Sequence, residues 1–313
     1  MWHVIDIPDE LIATQVRYNG AAGRAFVAGL PALVEGFLER WGLRRDGPVA
    51  CGVCALVVPV VRVGDGRRAV LKCQLVDEET AGEPVALRLW GAAGGSVCAV
   101  GLLEWDAATG TMLLERLDAG RALSGVAEAR EAVRVVAGLL AGLTAVRVPV
   151  GSGLRGLGAA AVRMLEAAPG VVRGLADAEE RRLVADCAAA VREVAGEPGD
   201  RLLHWDLHFG NVLAAEGGGG GEARWVAIDP KPLVGDPGFD LFPALTDRFD
   251  AGDVGWRFDL LTGALGLDRE RARAWTLGRV LQNACWETEE GGRRLVPAHA
   301  EVARRLLAGG RRA

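Results

Sequence analysis

The stretch His204-Trp205-Asp206-Leu207-His208-Phe209-Gly210-Asn211 is followed, eighteen positions past Asn211, by Asp229 in the run Ala227-Ile228-Asp229-Pro230. Reduced to fixed letters, the first segment is H-x-D-L-x-x-x-N, and the second is an acid closing an apolar strand. Phosphoryl transfer calls for these residue types at this spacing. A carboxylate must orient the attacking hydroxyl and accept its proton, and Asp206 stands where that base belongs. Oxygen ligands must hold Mg²⁺, a hard cation that takes carboxylate, amide oxygen, phosphate and water; Asn211 and Asp229 supply two. A lone H-x-D arises by chance in many loops. Four fixed letters with a second acidic motif at the right distance arise far less often.

The same chemistry asks for a phosphate-pairing lysine on an upstream strand. Arg68-Ala69-Val70-Leu71-Lys72 fits that pattern. Lysine usage sharpens the point, because only Lys72 and Lys231 are lysine among the 36 basic residues. Arginine therefore serves wherever a generic positive charge is enough, and a retained lysine marks a place where ammonium and guanidinium are not interchangeable. Lys231, directly after Asp229-Pro230, reads equally as such a place or as a solvated loop residue. The partner of Lys72 is expected on the next helix. Pro84 suits a first helical turn, where its missing N–H is no loss, and Glu83 is favoured over Glu78 and Glu79 by its spacing to Leu87.

With these segments in hand, the chain resembles the aminoglycoside/hydroxyurea antibiotic-resistance kinases, and most closely the streptomycin 6-phosphotransferases with their hydroxyurea-phosphotransferase relatives. Further stretches carry the resemblance: Ala86-Leu87-Arg88-Leu89-Trp90, Leu113-Leu114-Glu115-Arg116-Leu117, and above all Ala227 to Leu241, with coverage from about Gly20 to about Glu290. It implies an α+β, two-lobed protein-kinase-like fold. A small, mostly antiparallel β lobe with leading helices would span residues 1–117, and a larger, mainly helical lobe residues 118–313. It implies ATP and Mg²⁺ as cofactors, with the adenine hung from backbone groups near Glu115 to Leu117, and His204 and Asp240 supporting the catalytic loop. It implies transfer to a hydroxyl of an aminoglycoside, streptomycin first and at its 6-position. A hydroxyurea kinase is the alternative, and a non-catalytic nucleotide-binding relative a further one. The joint presence of Lys72, Asp206, Asn211 and Asp229 counts against the last. Trp205 replaces the Arg of the protein-kinase H-R-D, and no A-P-E follows Asp229; both departures suit a small-molecule acceptor.

Composition bounds the rest. The 313 residues suffice for two lobes, and 50 % hydrophobic content for two cores. A net charge of −5 leaves no basic footprint for nucleic acid or an acidic membrane surface. The start, Met1 to Asp6, lacks the basic and apolar regions of a signal peptide. The apolar run Val49 to Val61 is broken by Gly52 and Pro59 and falls short of the roughly 20 residues of a membrane span. A cytoplasmic monomer is expected. Cys51-Gly52-Val53-Cys54 invites a metal or redox reading, but no second pair or nearby His completes a site, so the six cysteines are expected to be small buried residues.

Periodicity orders the elements. Phe26, Leu30, Leu33, Val34, Phe37, Leu38 and Trp41 recur at helical spacing, with Pro31 expected to split two short helices behind the first lobe. Val53–Val63 and Arg68–Leu75 read as strands joined at Gly64-Asp65-Gly66, and Val97–Trp105 and Thr111–Leu117 as a second pair. From Ser124 the chain turns helical, with Val133, Val136, Leu140 and Leu143 on one face. Gly217–Gly221 reads as a flexible hairpin tip.

The acceptor is read from charge. From Asp240 to Glu290 ten acids face six arginines. Trp286, Glu287 and Glu290 near the end of a late helix would suit a cationic aminocyclitol, whose guanidinium groups carboxylates bind bidentately. A solvated acidic helix face is the equal alternative. His208 is placed with Phe209 on the acceptor side of the catalytic loop; His3 and His299 read as structural or exposed.

Overall fold

Apolar residues at helical spacing build α1 (Asp9–Arg40), the first element of a computed structural model that describes residues 5–94, 97–217 and 223–309. The expected division at Pro31 is corrected. Pro31 lies within the helix, and the break falls at Gly20, with φ 51° and ψ −119°. Only a residue without Cβ enters that region at little cost, so glycine rather than proline makes the turn. A Cβ on Gly23 would lie 2.1 Å from the carbonyl oxygen of Gln15, so the two arms of α1 fold closely together.

The second arm packs Leu30, Val34 and Phe37 against Leu56, Val58, Val60, Leu71, Cys73 and Leu113 of a sheet. By length and composition α1 is apolar enough to cross a membrane, but its apolar stripe has this partner within the chain. The sheet comprises β1 (Leu43–Arg45), β2 (Ala50–Cys51), β3 (Ala55–Arg62) and β4 (Arg68–Gln74), and, after α2 (Glu83–Ala93), β5 (Leu102–Trp105) and β6 (Met112–Glu115). It is antiparallel in the order β1-β3-β4-β6-β5, with β2 on β3. Alternate residues of β3 point to opposite faces, which is why Leu56, Val58 and Val60 share the one under α1.

The second lobe begins with β7 (Leu117–Ala122), then α3 (Ala129–Leu143), α4 (Leu157–Gly174), α5 (Ala178–Val194) and four short strands: β8 (Arg201–Leu203), β9 (Val212–Ala215), β10 (Trp225–Ala227) and β11 (Leu233–Gly235). It closes with α6 (Phe242–Thr246), α7 (Val254–Leu265), α8 (Arg269–Glu289) and α9 (Pro297–Gly309). Val133, Val136, Leu140 and Leu143 are buried in its core, where α8 contributes Trp275, Leu277, Val280, Leu281 and Ala284. β9 pairs with both β7 and β10, and β8 with β11. Positions 218–222 lie outside the described residues, and with them most of the glycine run expected at the β9–β10 tip. All six cysteines are free thiols; Cys73, Cys187 and Cys285 are buried, whereas Cys51, Cys54 and Cys98 are only half-buried.

Candidate active site

Two loops at the ends of short strands bring the sequence motifs together. The β8–β9 loop carries His204 to Asn211, and the β10–β11 loop carries Ile228 to Pro232. They are stitched by backbone bonds, Ile228 N–H to Asn211 O at 2.9 Å and Lys231 N–H to His204 O at 3.0 Å. Asp240, fully buried, accepts the N–H groups of both His204 and Trp205 at 2.7 Å. Trp205 and Asp229 have φ of 65° and 56°, a left-handed conformation costly for side chains of this kind and found where surrounding structure enforces it. Each strained residue sits at, or next to, a carboxylate of the motif.

His204 is buried. Its Nε2 lies 3.0 Å from Ile228 O, and its Nδ1 accepts a long 3.4 Å contact from Asp206 N–H. One ring nitrogen must then donate while the other accepts, which only the neutral ring does. Burial agrees, pushing its pKa down to about 4 against the raising pull of Asp206 and Asp229. Asn211 donates its side-chain N–H to Asp206 O at 2.9 Å, which leaves Oδ1 free as an oxygen ligand. Asp206 is one-quarter exposed, and its Oδ2 lies 3.3 Å from Lys231 Nζ.

Lys72 rises from β4 into a cage of carboxylates. Its Nζ lies 2.7 and 2.8 Å from the two oxygens of Glu83 and 2.5 Å from Asp229 Oδ1. Gln74 donates to Glu83 at 2.8 Å. Burial opposes the charge on Lys72, but Asp229 and Glu83 outweigh it and hold the pKa above the ordinary lysine value. Burial pushes Glu83 up against the pull of Lys72, and Lys72 draws Asp229 down. Of the three candidate partners for Lys72, the structure selects Glu83. Glu79 instead reaches Lys231, at 3.6 Å, and Glu78 reaches Arg163, also at 3.6 Å.

At the hinge, Glu115 N–H bonds Gly101 O at 2.7 Å, while its carboxylate accepts Gly101 N–H and Arg224. Leu117 is buried where β7 starts. His208 accepts Gly210 N–H at 3.0 Å and so caps the single helical turn after the base.

A cleft of about 240 Å³ opens beside Trp205, lined among others by Glu79, Arg155, Arg163, Trp286 and Glu289. Trp286 lines the cleft, but Glu287 turns to His299 Nδ1 at 2.9 Å and to Val296 N–H at 3.2 Å. Glu290 is exposed just past the helix end and does not line the cleft. The acidic excess after Asp240 is mostly engaged elsewhere. Asp247 accepts Phe209 N–H at 2.6 Å, Asp250 and Asp268 cap helical turns, and Asp253, Asp259 and Glu270 pair with arginines. Asp247 thus braces the His204–Asn211 loop, which its sequence context does not mark. Trp205 packs between Arg155 at 4.6 Å and Arg279 at 5.2 Å and stacks on Trp286 at 6.1 Å.

A β lobe that presents a glutamate-paired lysine to the carboxylates of a helical lobe defines a class, the protein-kinase-like phosphotransferases. Residues 40–291 match the family described as aminoglycoside/hydroxyurea antibiotic resistance kinase, and the chain belongs to that family of small-molecule kinases. It is 63 % identical over 306 residues to a hydroxyurea phosphotransferase of Kitasatospora aureofaciens, covering 97 % of this chain and 86 % of the relative. It is 52 % identical over 311 residues to a streptomycin 6-kinase of Streptomyces glaucescens, covering 97 % of each. Among solved structures, the aminoglycoside phosphotransferase APH(4)-Ia in ternary complex with ADP and hygromycin B superposes with a TM-score of 0.57. At 15 % identity, covering 88 % of this chain and 97 % of that one, it speaks to the fold alone.

Proposed function

We propose that this chain transfers the γ-phosphoryl group of ATP to a hydroxyl of a small antibiotic-like molecule, with hydroxyurea as the first acceptor. The observation that carries the transfer is the convergence of Asp206, Asn211 and Asp229 opposite the Lys72–Glu83 pair. The acceptor hydroxyl oxygen forms the new bond to the γ-phosphorus as the bond to the β–γ bridging oxygen breaks. Asp206 takes the hydroxyl proton, and ADP is the leaving group. Lys72 pairs the α- and β-phosphates, and the hinge from Glu115 to Leu117 takes the adenine between a lobe of residues 1–117 and one of 118–313. Neutral His204 and Asp240 hold the base's loop.

The donor set suits Mg²⁺. Asn211 Oδ1 and the second oxygen of Asp229 are hard ligands, and among the described residues no cluster of three His, Cys, Asp or Glu competes as a closed metal cage. Mg²⁺ ordinarily takes one or two protein oxygens and completes its shell with phosphate and water, and when bound it neutralises phosphate charge. A cytoplasmic monomer suits this use of ATP.

Two observations support hydroxyurea as the first acceptor. The acids counted after Asp240 are mostly committed to the protein's own groups. The higher identity to the hydroxyurea phosphotransferase points the same way. Streptomycin is the second reading, favoured by Glu289 beside Trp286 on the cleft wall.

The test is ADP release and phosphorylated product from Mg-ATP with each acceptor separately. Hydroxyurea turnover is expected, insensitive to salt because the acceptor is neutral, and Asp206→Asn should lower kcat by about 10²–10⁴-fold. Streptomycin turnover with none of hydroxyurea transfers the assignment to the aminocyclitol. Turnover of neither, with ATP bound, sinks the reading.

A further inference from the structure

The chain's two lysines are both at this site. Lys72 is enclosed by Glu83 and Asp229, and Lys231 reaches Asp206 Oδ2 at 3.3 Å and Glu79 Oε2 at 3.6 Å. Lys231 is not a loose loop residue. Proline precedes and follows it, fixing the neighbouring φ angles, and its N–H is bonded to His204 O at 3.0 Å. Its backbone is therefore tied to the loop that carries the base, and its ammonium is set against the base itself.

Phosphoryl transfer spreads negative charge over the oxygens of the group in flight, and a cation placed there in advance is a large source of rate. Other cations near the loop are poorly placed for this. Arg279 is buried among the rings of Trp205, Phe239 and Trp286 at 5.1–5.7 Å, and Arg155 is held over the Trp205 ring at 4.6 Å. Lys72 is held in its cage for the donor's inner phosphates. An ammonium carries three rotatable donors on a compact charge, so it can hold a carboxylate oxygen and a phosphoryl oxygen together, which a rigid guanidinium fork does less readily.

We propose that Lys231 is a further catalytic residue, bonding an oxygen of the transferred phosphoryl group while keeping Asp206 aligned, with Glu79 positioning it from the loop before α2. The assignment rests on the phosphotransfer reading above and adds to it a cation supplied by the loop after Asp229. A bland origin for the same geometry is a partly exposed ion pair. Such pairs add little stability and carry no rate, so the two readings separate in kinetics.

The experiment compares wild type with Lys231→Met, Lys231→Arg and Glu79→Gln, using Mg-ATP and whichever acceptor the wild type turns over. Lys231→Met is expected to lower kcat by about 10²–10³-fold, the scale of losing one preorganised donor to developing charge. KM for ATP should stay within about threefold, because the inner phosphates belong to Lys72. Lys231→Arg should recover part of the loss, and Glu79→Gln should lower kcat several-fold with KM for ATP unmoved. A Lys231→Met enzyme within about threefold of wild-type kcat overturns the proposal, as does a rise in KM for ATP with kcat intact. The nucleotide-induced rise in Tm reports folding of each variant. Should Lys231→Met not fold, the Arg and Gln variants decide by the same split, and unaltered kcat in both overturns the assignment. Absence of turnover by the wild type is a failure of the phosphotransfer reading and is seen before any variant is made.

Discussion

His204 and Asp240 are buried neighbours whose titrations run in opposite directions. Desolvation pushes His204 down to about 4, and desolvation pushes Asp240 up to about 6, despite the two backbone N–H groups that stabilise its charge. A depressed histidine binds fewer protons folded than unfolded, so its stabilisation is complete above the ordinary pKa of about 6.5 and is lost as pH falls toward 4. A raised aspartate does the reverse, losing stability as pH climbs from about 4 to 6. The two nearly cancel in the wild type. His204→Asn removes one side of that balance, so the stability difference, wild type minus variant, should shrink by about 2 kcal/mol between pH 7 and pH 5. Urea unfolding at both pH values measures it; a pH-independent difference would mean His204 is not buried neutral. At this scale the motif letters were legible, because each is a functional group with a required spacing. Which carboxylates of α8 face the cleft was not, and helix geometry explains why. Trp286 and Glu289 are three apart and share a face, whereas Glu287 and Glu290 share the next face around. A count of acids along the chain carries no information about which face meets a cleft.

In the proposed phosphotransfer reading, the turn between β2 and β3 takes the place of the loop that covers the phosphates in kinases, and it is pinned from outside the sheet. Thr14 Oγ1 donates to Val53 O at 2.6 Å, and the fully buried Gln15 donates to Cys54 O at 2.8 Å while accepting from Asn19 at 2.9 Å. With Gly52 as its only glycine, this turn does not rely on a glycine-rich backbone, and the first arm of α1 fixes it instead. Gln15→Leu keeps the volume but leaves Cys54 O without its partner, at a cost of about 1–3 kcal/mol. The expected kinetic result is a several-fold rise in KM for ATP with kcat little changed; unchanged KM would show that the turn does not cover the nucleotide. The sequence announced the β3–β4 hairpin through Gly64-Asp65-Gly66, since turn chemistry is local. It did not announce the Gln15 clamp, whose partner lies 39 residues away. Nor did it place the bend of α1. Pro31 is the stronger helix breaker by propensity, but Gly20 alone has the φ freedom the reversal needs.

The two lobes meet through a charge that serves two partners. Asp229 belongs to the helical lobe and Lys72 to the sheet, and their contact joins the lobes alongside the Ala99–Ala227 bridge and the Glu216 contacts to Arg68 and Arg116. The sequence motifs say which residues must converge; only the packed lobes show that Lys72 is shared by two carboxylates. That sharing makes the two obvious substitutions unequal. Asp229→Asn leaves the Lys72–Glu83 pair intact, so the free protein should keep its stability. Lys72→Met strips the cation from Glu83, which is only 1 % exposed. An uncompensated buried charge costs about 3–5 kcal/mol, and Glu83 limits the loss by taking up a proton, the direction in which burial already pushes it. Nucleotide reverses the ranking of what can be repaired. A ligand at 100 times its Kd adds about 2.7 kcal/mol to a folded protein, and in the wild type this rise in Tm should require ATP and Mg²⁺ together. In Asp229→Asn one proposed metal ligand is weakened, so the same rise should return at higher Mg²⁺. In Lys72→Met the phosphates lose a partner that no metal concentration replaces, so the deficit should persist across the titration. Melting curves of the three proteins over a matrix of Mg²⁺ and ATP measure both effects, and parallel responses of the two variants to Mg²⁺ would refute the division of labour between Lys72 and Asp229.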